Sequence, residues 1–306
     1  MVAAGPGAES APWAADARQH ARRIHVRTRR LVDGIFAGQY HSVFKGSGIE
    51  FAEVREYVPG DDVRSIDWNV TARLGSPFVK RYIEERELVV MLLVDVSASG
   101  RFGSAQRLKT EIATDLCALL ATSAIRNHDK VGLVLFTDRI ERFIPPQKGR
   151  NRTLRVISEL LTFEPERTGT DLAVALEYLH RVIRRRSVSF VLSDFLAKGY
   201  EGALRLAHQR HDIIPVCITD RRERTLPRVG LMTVRDLETG RRIVIDTGSA
   251  ATLRQYEKRW EDALAARRRL FRSLGVDVIE VNTQEPYIHP LLRFFRRRER
   301  RLREGR

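Results

Sequence analysis

The 306-residue chain predicts an α/β fold, a mostly parallel sheet covered by helices on both faces, with a small β-rich subdomain ahead of it. Three observations predict this. Leu88 to Val94 is an unbroken apolar run, as in a strand buried on both faces. From Leu88 onward, strand-length apolar runs alternate with helical stretches. Between Gly46 and Glu87 short extended pieces and turn residues replace that alternation.

Taken in order, residues 1–13, rich in Ala, Gly and Pro, are expected to be disordered. Ala14 to Asp33 predicts a helix, with Pro12 suited to its first turn and Gly34 to its end. Together with the β-rich segment it makes up residues 14–87. There Pro59-Gly60 fits the centre of a type II turn, and Pro77 to Ile83 alternates as a strand. Arg55, Asp61, Asp62, Arg64, Asp67 and Arg73 form either an ion-pair and hydrogen-bond network that locks the segment or a contact surface for a partner. The α/β domain proper is assigned to 88–285. Its strands are expected near 88–94, 131–137, 188–192, 213–218 and 276–281, and its helices near 104–126, 150–161, 171–186, 200–210 and 249–274. Leu226 to Asp246 reads as an inserted hairpin that turns at Glu238-Thr239-Gly240. Residues 286–306 form a basic tail. Leu291, Leu292, Phe294 and Phe295 beside Arg293 and Arg296 to Arg298 could make a basic amphipathic segment for a membrane surface or an acidic partner, but disorder or docking on the parent domain is the favoured expectation.

Composition narrows the function classes. Hydrophobic content of 43% and charged content of 30% describe a soluble globular chain. No apolar run approaches a membrane span and the first residues lack a secretory signal, so a cytoplasmic location is expected. Cys117 and Cys217, without a C-x-x-C pair, read as small buried hydrophobes. The net charge of +15 is mostly arginine, since only seven of the 54 basic residues are Lys. Eight of those arginines lie in the tail. With no recognised binding module, the charge reads as a solvated surface rather than a nucleic-acid footprint.

The chemistry concentrates at three loops. Asp95-Val-Ser97-Ala-Ser99 follows the Leu88–Val94 run, Thr168-Gly-Thr170-Asp171 opens an apolar helical pattern, and Ser193-Asp194 closes the strand Val188–Leu192. In open α/β sheets ligands gather beyond the carboxyl ends of the strands. Asp95, Ser97, Ser99, Thr170 and Asp194 would supply oxygen donors only, which suits Mg²⁺ or Mn²⁺ and argues against zinc. Two carboxylates leave such an ion electropositive and open to an acidic residue of another protein. Singly, the first loop and Asp194 read as turn residues and Thr170 as a helix N-cap. Their common position at strand-to-helix junctions is what joins them.

These loops resemble the metal-ion-dependent adhesion site of von Willebrand factor type A domains, with Asp95, Ser97 and Ser99 matching its first loop, Thr170 its second and Asp194 its third. Upstream, Gly48-Ile-Glu-Phe51, Arg55-Glu-Tyr57, Pro59-Gly-Asp-Asp62, Arg64, Ile66-Asp-Trp68 and Thr71-Ala-Arg73 resemble the signature of the bacterial domain of unknown function 58 family. Together the likeness runs from about Arg30 to about Thr283. It implies a Rossmann-like von Willebrand factor type A-like domain, a non-enzymatic metal-dependent binding role, and a MoxR-type AAA+ ATPase as companion in maturation or assembly of other proteins. Gly100 departs from the pattern, because many such loops carry Met there; this should alter packing more than ligation.

Rival chemistries find little in the sequence. The second Asp that a haloacid-dehalogenase-like phosphatase needs is replaced by Ser97, and neither a phosphate-binding glycine loop nor an H-E-x-x-H pair is present. No nucleophile is paired with a base, so no catalytic residue is assigned. A metal-dependent phosphoester hydrolase and nucleic-acid binding through the Arg-rich tail are the alternatives.

Overall fold

The computed structural model describes residues 24, 26, 28, 37–44, 50–83, 88–104 and 107–304. It divides into a small unit, Phe44–Leu88, and a larger one built from Met1–Val43 and Val89–Arg306. The disorder expected for 1–13 lies outside the described residues. Of the helix expected over 14–33 only Ile24, Val26 and Thr28 are described, and these are helical. Helix α1 (Ala37–Phe44) follows. The hydroxyl of its buried Tyr40 donates to Asp129 Oδ2 at 3.0 Å.

The small unit is an antiparallel pair, β1 (Glu50–Glu56) and β2 (Phe78–Ile83), with helix α2 (Trp68–Leu74) between them. Pro59-Gly60 turns as its sequence predicts: Asp61 N–H donates to the Val58 carbonyl at 3.0 Å, and Gly60 takes the positive φ of 111° that this turn requires. The charged residues act locally. Asp61 pairs with Arg55 at 2.6 Å, Asp62 accepts from Arg64 N–H at 2.9 Å, and Asp67 caps α2.

The larger unit confirms the α/β class. Its six-stranded sheet runs in the order β10 (Ile279–Asn282), β7 (Asp212–Thr219), β6 (Val188–Ser193), β3 (Val89–Asp95), β4 (Lys130–Phe136), β5 (Ile140–Gln147). All neighbours are parallel except β4 and β5. Strand β5 was not expected from sequence: Pro145 and Pro146 argue against a strand, but prolines are tolerated on an edge, where a missing N–H breaks no ladder. Within β3, residues 90–95 are buried, and burying a Leu or Val side chain contributes about 1.5–3 kcal/mol.

Helices cover both faces. Met91, Leu93, Val134, Phe136 and Val191 pack against α5 (Leu172–Val182), α6 (Glu201–Arg210) and, beyond the short α7 (Arg221–Arg224) in sequence, α8 (Ala250–Ser273). On the other face α3 (Lys109–Arg126), buried along most of its length, lies against the sheet beside α4 (Arg150–Thr162). Helix α3 starts at Lys109, five residues later than expected, because Glu111 reaches back to the Leu108 N–H at 3.1 Å and fixes the first turn. Helix α5 stops at Val182, four residues short, and Arg184–Arg186 are exposed beyond it. The last strand is shorter than expected, beginning at Ile279. The C-terminal segment is a docked helix, α9 (Ile288–Glu304), that buries Pro290, Leu291, Phe294 and Phe295, with Phe295 6.2 Å from the Tyr40 ring. Its Arg298 pairs with Asp212 and Asp277.

Strands β3 and β6 are neighbours, yet the chain leaves β3 towards β4 on one side and β6 towards β7 on the other. The fold therefore opens a crevice between their carboxyl ends, where Asp95 and Asp194 stand.

Candidate cation site at the carboxyl end of the sheet

Asp95 is the last residue of β3, and its carboxylate is held from two sides. Oδ1 accepts from Ser97 N–H at 3.0 Å and Oδ2 accepts from the Ser193 hydroxyl, at the end of β6, at 2.7 Å. The fully buried Ser97 hydroxyl lies 3.1 Å from that of Ser99. Asp95, Ser99, Gly100, Lys109, Ser193 and Asp194 line one small recess. At Gly100 a Cβ would stand 2.9 Å from Thr110 Cγ2 on α3, so a side chain there would require Thr110 to shift.

Thr170 does not line this recess. Its loop is tied to the first one, since Ala98 N–H donates to the Thr168 carbonyl at 3.0 Å, but its hydroxyl donates to Glu238 Oε1 at 2.8 Å. The Thr168 hydroxyl donates to the Glu238 carbonyl, also at 2.8 Å. Glu238 comes from the turn between β8 (Leu231–Arg235) and β9 (Arg242–Asp246). Thus the second loop meets the inserted hairpin, and the first and third meet each other.

Asp194 follows β6. Its Oδ1 accepts from Leu196 N–H at 3.1 Å and its carbonyl accepts from the Arg267 guanidinium at 2.7 Å. Phe195, the next residue, adopts a positive φ of 56°, which a bulky L residue takes only under constraint. Its ring is locked between Tyr200 and Phe271 at 5.7 and 5.5 Å.

Sequence reasoning missed Lys109. The residue is only 3% exposed, and its ammonium bonds both Asp194 Oδ2 at 3.0 Å and Glu223 Oε1 at 2.5 Å. Burial works against its charge, but Asp194 and Glu223 outweigh it and raise the pKa. The available signal was a lysine at the first position of a helix, where the helix dipole disfavours a cation. Asp220 was missed as well: it accepts from Ser104 N–H at 2.9 Å and the Thr283 hydroxyl at 2.6 Å, joining the loops beside β7. Burial opposes its ionisation, but these hydrogen bonds prevail and lower its pKa.

The electrostatics leave a cation deficit. Lys109 serves two carboxylates, while neither Asp95 nor Glu238 forms an ion pair among the described residues. Burial, followed by the charge of Asp194, pushes Asp95 up to about 6. Burial also raises Glu238, with Asp194 and Asp236 adding to it against the Thr170 hydrogen bond. Clustered hydroxyls and under-compensated carboxylates suit a hard divalent ion. No cluster of three or more His, Cys, Asp or Glu side chains suited to a metal occurs among the described residues, so hydroxyls would have to supply much of the donor set. Elsewhere His211 shares a hydrogen bond with the Ser187 hydroxyl, 2.9 Å away, and packs against His180. Both cysteines are buried and free.

The family described as "Protein of unknown function DUF58" matches residues 53–266. An uncharacterized protein of Mycobacterium tuberculosis is 31% identical over 286 residues, covering 91% of this chain and 89% of its own length. An uncharacterized protein of Mycobacterium avium is 29% identical over 172 residues, covering 53% of this chain and 98% of its own. Among solved structures, BatB from Bacteroides thetaiotaomicron is 16% identical with a TM-score of 0.44, covering 68% of this chain and 95% of its own. The SpRpn10 VWA domain is 11% identical with a TM-score of 0.37, covering 68% and 94%. No helix among the described residues is long and apolar enough to cross a membrane.

Proposed function

The chain belongs to the DUF58 family, and from that premise we propose that it is a non-enzymatic, divalent-cation-dependent protein-binding module. The supporting observation is the crevice between β3 and β6, where Asp95, Ser99 and Asp194 line one recess and Asp95 lacks a cationic partner among the described residues. Asp95 and Asp194 would hold Mg²⁺ or Mn²⁺ through charge, and Ser97 and Ser99 through neutral oxygens, whereas Thr170, expected from sequence as a further ligand, bonds Glu238 outside the recess. When bound, the ion supplies a positive, open position for an acidic residue of a partner protein. Ser193 and the Ser97 N–H keep the Asp95 carboxylate oriented. Lys109 neutralises part of Asp194, so the remaining negative charge is small enough to leave the ion electrophilic towards a further carboxylate. A MoxR-type AAA+ ATPase is the partner class that the family likeness suggests.

The test is capture of interacting protein by the full chain in Mg²⁺ or in EDTA, with Asp95→Ala alongside. Loss of partner in EDTA and in the variant is expected. Equal retention in all three removes the cation from the mechanism.

A further inference from the structure

The inserted hairpin leaves a strand edge open, and that edge is complementary to itself. Strands β8 and β9 pair only with each other, so among the described residues the far edge of β9 has no ladder partner. Asp236 N–H donates to the Arg241 carbonyl and Thr247 N–H to the Gly230 carbonyl, both at 2.8 Å, so residues 241 and 247 face β8. Alternation along the strand then turns the N–H and C=O groups of Arg242, Val244 and Asp246 outward, to the open edge. Val244 is 64% and Ile243 50% exposed, and Arg242 and Asp246 are exposed as well. Arg242 stands directly opposite Arg235, a like-charge pair that weakens a hairpin, and neither arginine forms an ion pair among the described residues. Asp246 accepts from Gly248 N–H through Oδ1 at 2.9 Å, which leaves its other oxygen for a cation. The strand reads Arg-Ile-Val-Ile-Asp, with a cation at one end, an acid at the other and β-branched apolar residues between them. Its frame is fixed at the base by Thr247, whose hydroxyl donates to the Gly230 carbonyl at 2.7 Å, and at the tip by the Thr168 and Thr170 bonds to Glu238.

We propose that β9 pairs antiparallel with β9 of a second copy of this chain, about a two-fold axis through Val244, so that the two hairpins join into one four-stranded sheet. In that register Arg242 meets Asp246 of the second copy, Ile243 meets Ile245 and Val244 meets Val244, and the symmetry repeats each contact at the other end. The outward N–H and C=O groups of residues 242, 244 and 246 then bond their counterparts. Asp246 of the second copy brings Arg242 the carboxylate that its own hairpin lacks beside the Arg235–Arg242 pair. Parallel pairing would set arginine beside arginine, and strand β8, Leu-Met-Thr-Val-Arg, has no acid with which to complement itself. The inference is independent of the cation reading. One short strand makes a small contact, so the dimer is reversible and concentration-dependent.

The experiment is sedimentation of the full chain over a concentration series in EDTA, where a monomer–dimer equilibrium is expected. Arg242→Asp and Asp246→Arg each set like charges together at both ends of the pairing and should weaken the dimer about tenfold or more. The two single variants, mixed, should associate with each other, and the double swap Arg242→Asp/Asp246→Arg should dimerise again. Val244→Cys lies on the axis, where the paired Cα atoms are about 5.5 Å apart, so oxidised glutathione should link two copies through it and not through Thr233→Cys on β8. Both native cysteines are buried, and the four substituted positions are exposed, so the variants keep the fold, which an unchanged urea midpoint checks. A wild type that stays monomeric throughout, or a dimer that neither charge variant weakens, would overturn the inference and leave the cation site standing.

Discussion

Replacing Asp95 by Asn is expected to stabilise the metal-free protein. Asp95 is 8% exposed, and burial together with Asp194 raises its carboxyl from 3.8 to about 6. Each pKa unit is worth about 1.4 kcal/mol, so ionising this group in the folded state costs about 3 kcal/mol. The sign follows from the raised pKa. Below 3.8 the group is protonated whether folded or not and the cost is absent; it accumulates as pH rises from about 4 to 6 and is complete above that. Asn keeps the geometry: its oxygen accepts from Ser97 N–H, and its amide donates to Ser193 Oγ with the hydroxyl's role reversed. In EDTA at pH 8, urea unfolding should give Asp95→Asn an advantage approaching 3 kcal/mol that vanishes at pH 4. Added Mg²⁺ should stabilise the wild type, by linkage to binding of the folded state, and not the variant. A variant less stable than wild type at pH 8, or an offset independent of pH, would show that the carboxylate is satisfied without a cation and would refute the reasoning.

Three further outcomes follow from other parts of the structure. Lys109→Met leaves Asp194 and Glu223 buried without their cation and should cost about 3–5 kcal/mol in urea unfolding, of which adding Glu223→Gln should recover about 1–3 kcal/mol. His211 is 1% exposed, and burial, with His180 and Arg210 nearby, lowers its pKa from 6.5 to about 4. Its stabilisation is present above 6.5 and lost as pH falls to about 4, about 3 kcal/mol in all. Because Asp95 has the opposite slope over part of that range, the comparison is best made in the Asp95→Asn background, where His211→Gln should flatten the acid limb; an unchanged limb would assign it to other groups. Phe295→Ala should cost about 3–5 kcal/mol, measured by thermal or chemical denaturation, since it removes the buried ring that docks α9; a loss below 1 kcal/mol would mean that the helix contributes little.

Much of the architecture is a local property of this chain. The apolar run before Asp95 and the turn at Pro59-Gly60 each announce themselves within a few residues, because strand burial and turn dihedrals depend on neighbours in sequence, whereas the cap of α5 is Asp171, one residue after the Thr170 read as its N-cap. The edge strand β5 was hidden because its two prolines obey a rule that depends on whether a strand is central or peripheral, which only the assembled sheet decides. The C-terminal segment had the apolar spacing of a helix, but whether that face met the parent domain, a membrane or solvent lay outside its own residues. Its burial against the larger unit answers that.

The candidate site divides in the same way. Sequence alone set oxygen-bearing side chains at the ends of two apolar strands, β3 and β6, and at a helix start, since strand and helix termini are read locally. Tertiary structure decided their surroundings: the Ser193 hydroxyl on Asp95, the Lys109 ammonium on Asp194 and the Glu238 carboxylate on Thr170, spanning 98, 85 and 68 residues of chain. Charge compensation acts through space, so partners this remote leave no mark on the spacing of the residues that they serve.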